Sequence, residues 1–520
     1  MTADAPTAPE DQGHPRRWAI LIVLSLCVFL VAIDNTVLNV ALPSISEQLH
    51  ASNRALQWMV DAYSLVFAGL LMTAGSLSDR HGRKKLLIVG LVFFGGASAA
   101  AAFAQDTGTL IGMRGLMGIG GAFLMPSTLA ILVQVFHERD RQRAIAIWGT
   151  ASALGIALGP VIGGVLVSHF WWGSVFLVNV PIGIAAVVAV AVLVPETRDL
   201  GGARRTDLPG ALLSTLAMSS LVYGVVQLSE HGWYSPQVWG PLVGAAVAAA
   251  LFVWRQARAE SPMVELSMVL SPRFIGAALS GALLMFALVG SVFVLTQHLQ
   301  LVLGYSPLRA GFATVPVALA VMVTAPLSPA ITQRIGVRTT VAIGLVVLAT
   351  GMVLFATLAP RAGYRPVLAG LLVLGCGIGL ATAPVSDALM SSAPKEKAGL
   401  ASASNDTVQE LGSALGVALA GSALAAGYAD GLPAGLPDSA RRSLAGALEF
   451  AGLQGPAGGA LAEHARYAFG SGMRLSMLIC AGVALIGAVC AFLMLPSRVP
   501  PQDEPAETPA AVGPDPLGVA

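Results

Sequence analysis

The sequence predicts an all-α polytopic membrane protein with fourteen transmembrane helices. Its 520 residues are 55% hydrophobic and only 11% charged, and the mean hydropathy is +0.76. A soluble domain, in contrast, has about 25% charged residues. At about 20 apolar residues per crossing, the apolar content is enough for roughly fourteen spans. This composition argues against a soluble enzyme, a disordered regulator and a coiled coil.

Hydropathy divides the chain into two six-helix bundles with two further helices between them. The predicted spans are residues 18–40, 57–77, 86–104, 108–134, 144–168, 174–194, 208–228, 238–254, 274–302, 310–331, 339–358, 366–392, 399–425 and 467–495. The predicted domains are a cytoplasmic N-terminal tail 1–17, an N-terminal bundle 18–194, two inserted helices 208–254, a C-terminal bundle 274–495 with a long outer loop 426–466, and a disordered, proline-rich cytoplasmic tail 496–520. We expect the outer loop to form a short surface helix.

The basic residues predict the orientation of these spans. With a cytoplasmic N-terminus, twenty Lys and Arg residues fall in cytoplasmic segments, seven in outer segments and two, Arg114 and Arg474, within spans. This bias agrees with the positive-inside rule. Both termini are therefore predicted to be cytoplasmic, in a multi-pass protein of the cell membrane. The pattern offers no explanation for Arg474.

Two cytoplasmic loops indicate an internal repeat. The loop at 75–85 reads GSLSDRHGRKK, and the loop at 329–338 reads PAITQRIGVR. When the two are aligned, Gly82 corresponds to Gly336 and Arg80 to Arg334. Parallel repeats of this kind enclose a substrate site near the membrane midplane and alternate its access between the two sides.

Three charged residues of the N-terminal bundle are predicted to lie at one height. Asp34 and Arg114 each fall about six residues from the outer end of their span, and Asp61 lies at a similar level, at about 1.5 Å per residue. A charge inside the membrane costs at least a few kcal/mol unless it is paired or hydrated. We expect the three side chains to share a wet cavity in which a carboxylate binds and releases a proton. The alternative is a structural ion pair that locks the helices, with Asp61 at the membrane interface.

The C-terminal bundle has its own candidate acids. Asp406 and Glu410 are four residues apart in span 13 and so share one helix face. Asp406 could instead be a helix-end residue near the headgroups. Asp387, close in sequence to Lys395 and Lys397, is interpreted as a solvated interface residue. The spans contain five acids and two arginines, an imbalance that favours cationic passengers, protons included.

Span 5 carries a glycine pattern. Gly155, Gly159 and Gly163 recur at four-residue spacing, which allows a neighbouring backbone to approach closely. Pro160 removes one helix hydrogen bond and permits a bend, and Gly164 follows the last glycine of the pattern. Packing alone is the alternative interpretation of this face.

Motifs for other chemistry are missing from the sequence. There is no phosphate-binding loop of the G-x-x-x-x-G-K-[ST] type and no H-E-x-x-H or G-x-S-x-G signature. The four cysteines lie in apolar runs without metal-ligand spacing. We expect no catalytic residues, no metal and no cofactor, with a proton gradient as the energy source.

Several of these motifs together resemble one family. The loop 75–85 resembles the cytoplasmic motif of the major facilitator superfamily, with Gly75, Asp79, Arg80, Gly82 and Arg83 in place. LIGMRGLMGIGGA (110–122) is similar to that superfamily's helix-4 arginine motif, and GIALGPVIGG (155–164) to its antiporter motif. AIDNTVLNVALP (32–43), FLVNVPIG (176–183) and SNDTVQELGSALGVA (404–418) resemble the fourteen-helix drug:proton antiporters. Many members of that family have Arg where this chain has Gln409.

The resemblance implies a role for each matching residue. Asp34 would couple transport to protons or cations with Arg114 as its partner. Asp79, Arg80 and Arg83 would latch the cytoplasmic helix ends and stabilise one access state. Gly159, Pro160, Gly163 and Gly164 would form a bending, leak-tight helix. The inserted helices would lie outside the transport core of a major facilitator fold.

The expected function is proton-coupled export of small hydrophobic, often cationic drugs or toxic metabolites by alternating access. The expected partners are these substrates, protons and the lipid bilayer, without nucleic acid, and we expect the chain to work as a monomer. Three alternatives remain open. They are a dedicated exporter of one natural product or antibiotic, a lipid flippase, and a membrane sensor that transports nothing.

Overall fold

The structure is a computed structural model that describes most of the chain. The described residues are 14–198, 207–231, 235–259, 262–358, 363–394, 397–454 and 458–497, without 50, 52, 263, 265, 434–435, 438–439 and 442. Most of the predicted tail 1–17 and nearly all of the predicted tail 496–520 lie outside these residues.

Within this part of the chain the structure is helical and contains no strand. The long helices are α1 (Arg17–Gln48), α2 (Asn53–His81), α3 (Arg83–Ala102), α4 (Thr107–Val135), α5 (Glu138–His169), α6 (Asn179–Leu193), α7 (Leu208–His231), α8 (Pro236–Arg258), α9 (Pro272–Gln297), α10 (Pro307–Thr324), α11 (Val337–Ala356), α12 (Tyr364–Met390), α13 (Ala398–Asp430) and α14 (Gly458–Met494). Thirteen helices of the described chain are long and apolar enough to cross a membrane, and α7 adds a shorter apolar stretch, Pro209–Val225. The predicted all-α polytopic fold is confirmed.

Local sequence explains where several helices begin. α8, α9 and α10 each start with a Ser-Pro pair, in which the serine precedes the helix and the proline is its first residue. The Ser235, Ser271 and Ser306 hydroxyls accept hydrogen bonds from backbone N–H groups of the first turn. Serine satisfies a free N–H there, and proline at this position loses no helix hydrogen bond.

Corresponding helices of the two bundles pack in the same way. α1 packs on α5 as α9 packs on α13, and α4 packs on α2 and α3 as α12 packs on α10 and α11. Gly82 and Gly336, which the sequence repeat aligns, both have positive φ, at 109° and 85°. Each also lies beside the segment that follows the last helix of its own bundle, at Glu196 and Ser497. The loop alignment therefore corresponds to a repeat in three dimensions.

Both ends of the described chain lie at the same face of the molecule as these two loops. The His14 N–H donates to the Val135 carbonyl at the end of α4 (3.0 Å), and Ser497 lies beside Gly336. We name this face the cytoplasmic end, after the predicted orientation, and the opposite face the outer end.

The outer ends of α13 and α14 extend beyond the predicted spans. At 33 and 37 residues these helices are about 50 and 55 Å long, against a hydrocarbon core of about 30 Å. Much of the predicted outer loop 426–466 is therefore helical, and it includes a further helix at Leu444–Leu453. Arg474 is exposed, about 30 Å along α14 from Met494. This distance equals the thickness of the hydrocarbon core, so we expect Arg474 at the outer end of its span, where its charge can be hydrated.

The two inserted helices form a hairpin on one side of the bundles. Their cytoplasmic ends are joined by the buried Asp207 carboxylate, which accepts hydrogen bonds from Arg255 (3.2 Å) and Gln256 (2.8 Å) of α8. α7 packs against α2 of the N-terminal bundle and α13 of the C-terminal bundle.

Candidate functional site

A buried ion pair occupies the interior of the N-terminal bundle. The Arg114 guanidinium of α4 donates to the Asp34 carboxylate of α1 at 2.5 Å, and the side chains are 1% and 0% exposed. The Arg114 Nε–H also donates to the Met59 carbonyl of α2 (3.0 Å), and its charge lies 4.6 Å from the centre of the Tyr63 ring. The arginine charge is thus compensated by one carboxylate, one carbonyl and one aromatic face.

Two polar residues that the sequence analysis did not single out complete this network. The Asn179 amide at the start of α6 donates to the second Asp34 oxygen (2.8 Å) and to the Ser98 hydroxyl of α3 (3.1 Å). Ser98 in turn donates to the Phe176 carbonyl (2.8 Å). Asp34 is therefore held from both sides, and the network joins α1, α2, α3, α4 and α6. We name Asp34, Arg114, Asn179 and Ser98 the N-bundle network.

The structure brings two of the three charged residues that we expected to share a wet cavity into direct contact. Asp34 and Arg114 are paired and buried, so the cavity does not reach them in this conformation. Asp61 is half-buried on α2. Exposed surface begins beside the pair, at Asn35.

The C-terminal bundle contributes its acids from α13. Glu410 is half-buried and makes no hydrogen bond or ion pair with any described residue. It lies near enough to Tyr63 of α2 to affect the electrostatics of that ring, as Asp34 and Arg114 do. Asp406, one turn towards the cytoplasmic end, is buried, and only one of its oxygens accepts a hydrogen bond, from Asn405 (3.2 Å). Tyr63 is thus within electrostatic range of the N-bundle network and of the unpaired acid of the other bundle.

The cytoplasmic loop motif joins the two bundles. The buried Asp79 carboxylate at the end of α2 accepts hydrogen bonds from Arg83 (2.6 and 2.8 Å) and from the backbone N–H groups of Gly399 (2.8 Å) and Leu400 (2.9 Å). The latter two belong to the first turn of α13, where free N–H groups and the helix dipole favour a negative charge.

Glycines let the helices of this contact approach each other. A side chain at Gly75 would meet Ala403 and the Gly399 backbone of α13. Gly82 has the positive φ of 109° that the turn between α2 and α3 requires. Arg80, one residue after Asp79, is half-buried.

A second contact between the bundles corrects the interpretation of Asp387. Arg141 of α5 donates to the Asp387 carboxylate of α12 at 2.6 Å, and the side chains are 4% and 9% exposed. Asp387 is therefore not a solvated interface residue. Sequence position placed it correctly near a helix end but could not show that another helix covers this end.

The glycine pattern of α5 faces α1. A Cβ atom added at Gly155 would lie 2.7 Å from Ala32 Cβ, and one at Gly163 would lie 2.8 Å from Val37 Cγ2. Gly159 of α5 is buried against Thr36 of α1. Gly164 is half-buried, and the side chain of Pro160 lies outside the described part of the structure. The described residues include no group of His, Cys, Asp and Glu that could hold a metal ion.

Comparison with known proteins gives a consistent result. The sequence profile of the Major Facilitator Superfamily matches residues 24–417. The chain is 39% identical to the multidrug efflux pump LfrA of Mycolicibacterium smegmatis, over 91% of this chain and 96% of that protein. It is 32% identical to the tetracenomycin C resistance and export protein of Streptomyces glaucescens, over 98% of both chains. The crystal structure of the human organic anion transporter MFSD10 superposes with a TM-score of 0.62 at 15% identity, over 92% of this chain and 100% of that chain.

Proposed function

The chain belongs to the major facilitator superfamily, and we propose that it exports small hydrophobic, often cationic drugs or toxic metabolites in exchange for protons. The observation that carries the proposal is the buried Asp34–Arg114 pair beside Tyr63, together with Glu410, an unpaired acid of the other bundle within electrostatic range of the same tyrosine. The relationship to a multidrug efflux pump supports the substrate class. We propose that both termini are cytoplasmic and that the transporter works as a monomer.

Asp34 is the proposed proton carrier. In the described conformation its carboxylate is shared between Arg114 and Asn179, so a proton that binds to Asp34 competes with the arginine. Protonation would weaken the ion pair and release Arg114, and with it the link between α1 and α4. An event at one carboxylate can thereby change the packing of a whole bundle.

Glu410 is the proposed partner for the positive charge of the drug. It is half-buried and unpaired within the described residues, whereas Asp34 is closed off by its partners. Asp61 and Asp406 are proposed as further acids of the coupling pathway. In this proposal Asp34 of the N-terminal bundle binds the transported proton, and Glu410 of the C-terminal bundle binds the charge of the drug.

The proton gradient supplies enough free energy for this exchange. One proton that crosses a potential of 100 mV releases about 2.3 kcal/mol, and a tenfold concentration gradient of a neutral solute costs about 1.4 kcal/mol. One proton per molecule therefore drives a useful gradient of a neutral drug. For a monovalent cationic drug the one-to-one exchange moves no net charge, so the pH difference alone drives it, with about 1.4 kcal/mol per pH unit.

The test uses inverted membrane vesicles with an established proton gradient and a fluorescent pH dye. Addition of ethidium should collapse the gradient in wild-type vesicles and leave it intact with Asp34→Asn. Asp106→Asn is the matched control. The Thr109 backbone N–H and hydroxyl lower the pKa of Asp106, so this exposed carboxylate stays ionised and carries no proton, and asparagine also caps a helix N-terminus. Full proton-coupled efflux by Asp34→Asn would refute the role of Asp34.

The relationship to a tetracenomycin C resistance and export protein supports a second candidate function, which is the export of one natural product. Folded wild-type protein that does not respond to ethidium or to a quaternary ammonium compound would favour this candidate. The vesicle assay would then be repeated with single aromatic natural products. A lipid flippase would instead be detected by fluorescent-lipid translocation in the same vesicles.

A further inference from the structure

The seam between α2 and α13 is built differently in its two halves. In the cytoplasmic half the two helices touch directly, with Gly75 beside Gly399 and Ala403. One turn further from the cytoplasmic end, the Ser404 hydroxyl lies 3.6 Å from the sulfur of Met72. All these contacts lie between the cytoplasmic end and the middle of the two helices.

In the outer half of the seam α7 contacts both helices. The ring of Tyr223 on α7 stacks on Trp58 near the outer end of α2, with the centroids 6.0 Å apart. On its other side α7 contributes Val225 to a buried cluster with Ala418 of α13 and Val238 of α8. The hairpin therefore fills the part of the seam that the two bundles leave between them.

The two contacts of α7 differ in chemistry. On the α2 side the Thr73 hydroxyl lies 3.2 Å from the Thr215 hydroxyl and 3.3 Å from the Ala211 carbonyl. Gly69 leaves space for the Ser219 side chain. Inside the membrane no water is present to bond to these groups if the hydrogen bonds break. The hydrogen bonds therefore hold the two helices in one register.

On the α13 side the contact is apolar. Leu221 and Val225 of α7 meet the small side chains Ala414 and Ala418, with Leu242 of α8 packed on the same cluster. A surface of this kind loses no hydrogen bond when one helix moves along the other, and small residues offer little resistance.

The hairpin can move as one piece. At its base Asp207 binds Arg255 and Gln256, and Gln256 accepts a hydrogen bond from the Val264 N–H of the linker to α9 (3.0 Å). The polar contact with the linker to the C-terminal bundle thus lies at the cytoplasmic end, where a rotation of the hairpin about its base displaces the chain little.

We propose that the inserted hairpin moves with the N-terminal bundle and slides over α13, so that it keeps the α2–α13 seam closed to lipid throughout the transport cycle. The inference rests on the proposed function, because the motion is that of alternating access. It gives α7 and α8 a role as a lateral seal for a cavity that carries hydrophobic substrates.

Two pairs of cysteines test this proposal, each in a background that lacks Cys27, Cys376, Cys480 and Cys490. Thr73→Cys with Thr215→Cys joins α7 to α2, and Val225→Cys with Ala418→Cys joins α7 to α13. Each pair is linked in inverted vesicles by a short bis-methanethiosulfonate reagent, and ethidium-dependent proton flux is measured before and after treatment with dithiothreitol. Loss of reaction with a maleimide-polyethylene glycol reports the linked fraction.

We expect the α7–α2 link to leave the flux within about twofold of the reduced protein. The α7–α13 link should lower it more than tenfold, with recovery after reduction. Arrest by the α7–α2 link, or full flux with the α7–α13 link, would overturn the proposal, because the hairpin would then not move with the N-terminal bundle. Absence of ethidium-dependent flux in the reduced variants and in the wild type would instead contradict the proposed function.

Discussion

Arg114 is the side chain on which the polar interior of the N-terminal bundle depends. A guanidinium cannot lose its proton inside the protein, so its charge must be compensated wherever the helix places it. Asp34 provides this compensation at 2.5 Å, and Met59 and Tyr63 complete the shell. The same pair therefore serves both stability and the proposed coupling, and a single substitution affects both.

The two roles can be separated by a double substitution. Asp34→Asn alone leaves Arg114 buried without a counter-charge, and we expect a loss of about 3–5 kcal/mol in the free energy of unfolding. Adding Arg114→Gln removes the unpaired charge and should recover most of this stability but none of the proton-coupled efflux. The apparent unfolding temperature in detergent, followed by size-exclusion chromatography, ranks the stability of the variants, and the vesicle assay measures the proton-coupled efflux. A double variant as unstable as Asp34→Asn would show that the lost stability has another origin.

Sequence alone identifies the charged members of this site but not the neutral ones. Asp34, Arg114 and Glu410 could be recognised because a charge in an apolar span needs a reason. Asn179 and Ser98 give no such signal, since neutral polar residues are common in membrane helices. Their importance follows only from the hydrogen bonds that converge on Asp34.

The face of α5 that packs on α1 consists of glycines, and the lack of side chains there allows the two helices to approach closely. Four-residue glycine spacing predicts a close approach of some helix, and the structure identifies it as α1. The choice of partner depends on the whole bundle and cannot be derived from one helix. Gly149 lies in the same helix but has no atom of a neighbouring segment within 4 Å of an added Cβ.

Alanine at these positions should separate packing from helix propensity. Gly155→Ala would bring a methyl group to 3.0 Å from the Phe29 carbonyl, and Gly163→Ala to 3.1 Å from the Val37 carbonyl. Since overpacking costs about 1–3 kcal/mol, we expect each change to lower the unfolding temperature and the rate of ethidium efflux. Gly149→Ala, the matched control, should leave both within error or raise stability slightly, because alanine favours the helix. Equal effects at all three positions would contradict a specific α1–α5 contact.

Closure of the cytoplasmic end depends on two contacts at opposite seams. Asp79 binds the first turn of α13 at the α2 seam, and Arg141 binds Asp387 of α12 at the α5 seam. The twofold repeat could be predicted from two loops because both preserve a glycine at the same tight turn. The contact between Arg141 and Asp387 could not be predicted from the sequence, because the two residues lie 246 positions apart in the chain. Both contacts must break for this end to open, so both favour the state in which the cytoplasmic end is closed.

Charge reversal tests the second contact in the whole molecule. Arg141→Asp places two carboxylates together at a buried position, and a loss of about 3 kcal/mol would change the ratio of the two access states more than a hundredfold. The exchange Arg141→Asp with Asp387→Arg should restore the pair.

Double electron–electron resonance measures the opening of the cytoplasmic end as the distance between two spin labels. The labels are attached at Lys85→Cys and Arg334→Cys, which are both exposed at this end. Arg141→Asp should lengthen the main distance, and the exchanged pair should return it to the wild-type value. Arg17→Ala removes the partly exposed pair with Asp140 inside one bundle and should change nothing, because such pairs contribute about 1 kcal/mol or less. Arg141 also lies 3.8 Å from the Glu138 carboxylate of its own helix. A distance that stays long in the exchanged pair would show that position 141 acts through its shape or through Glu138 rather than through its pair with Asp387.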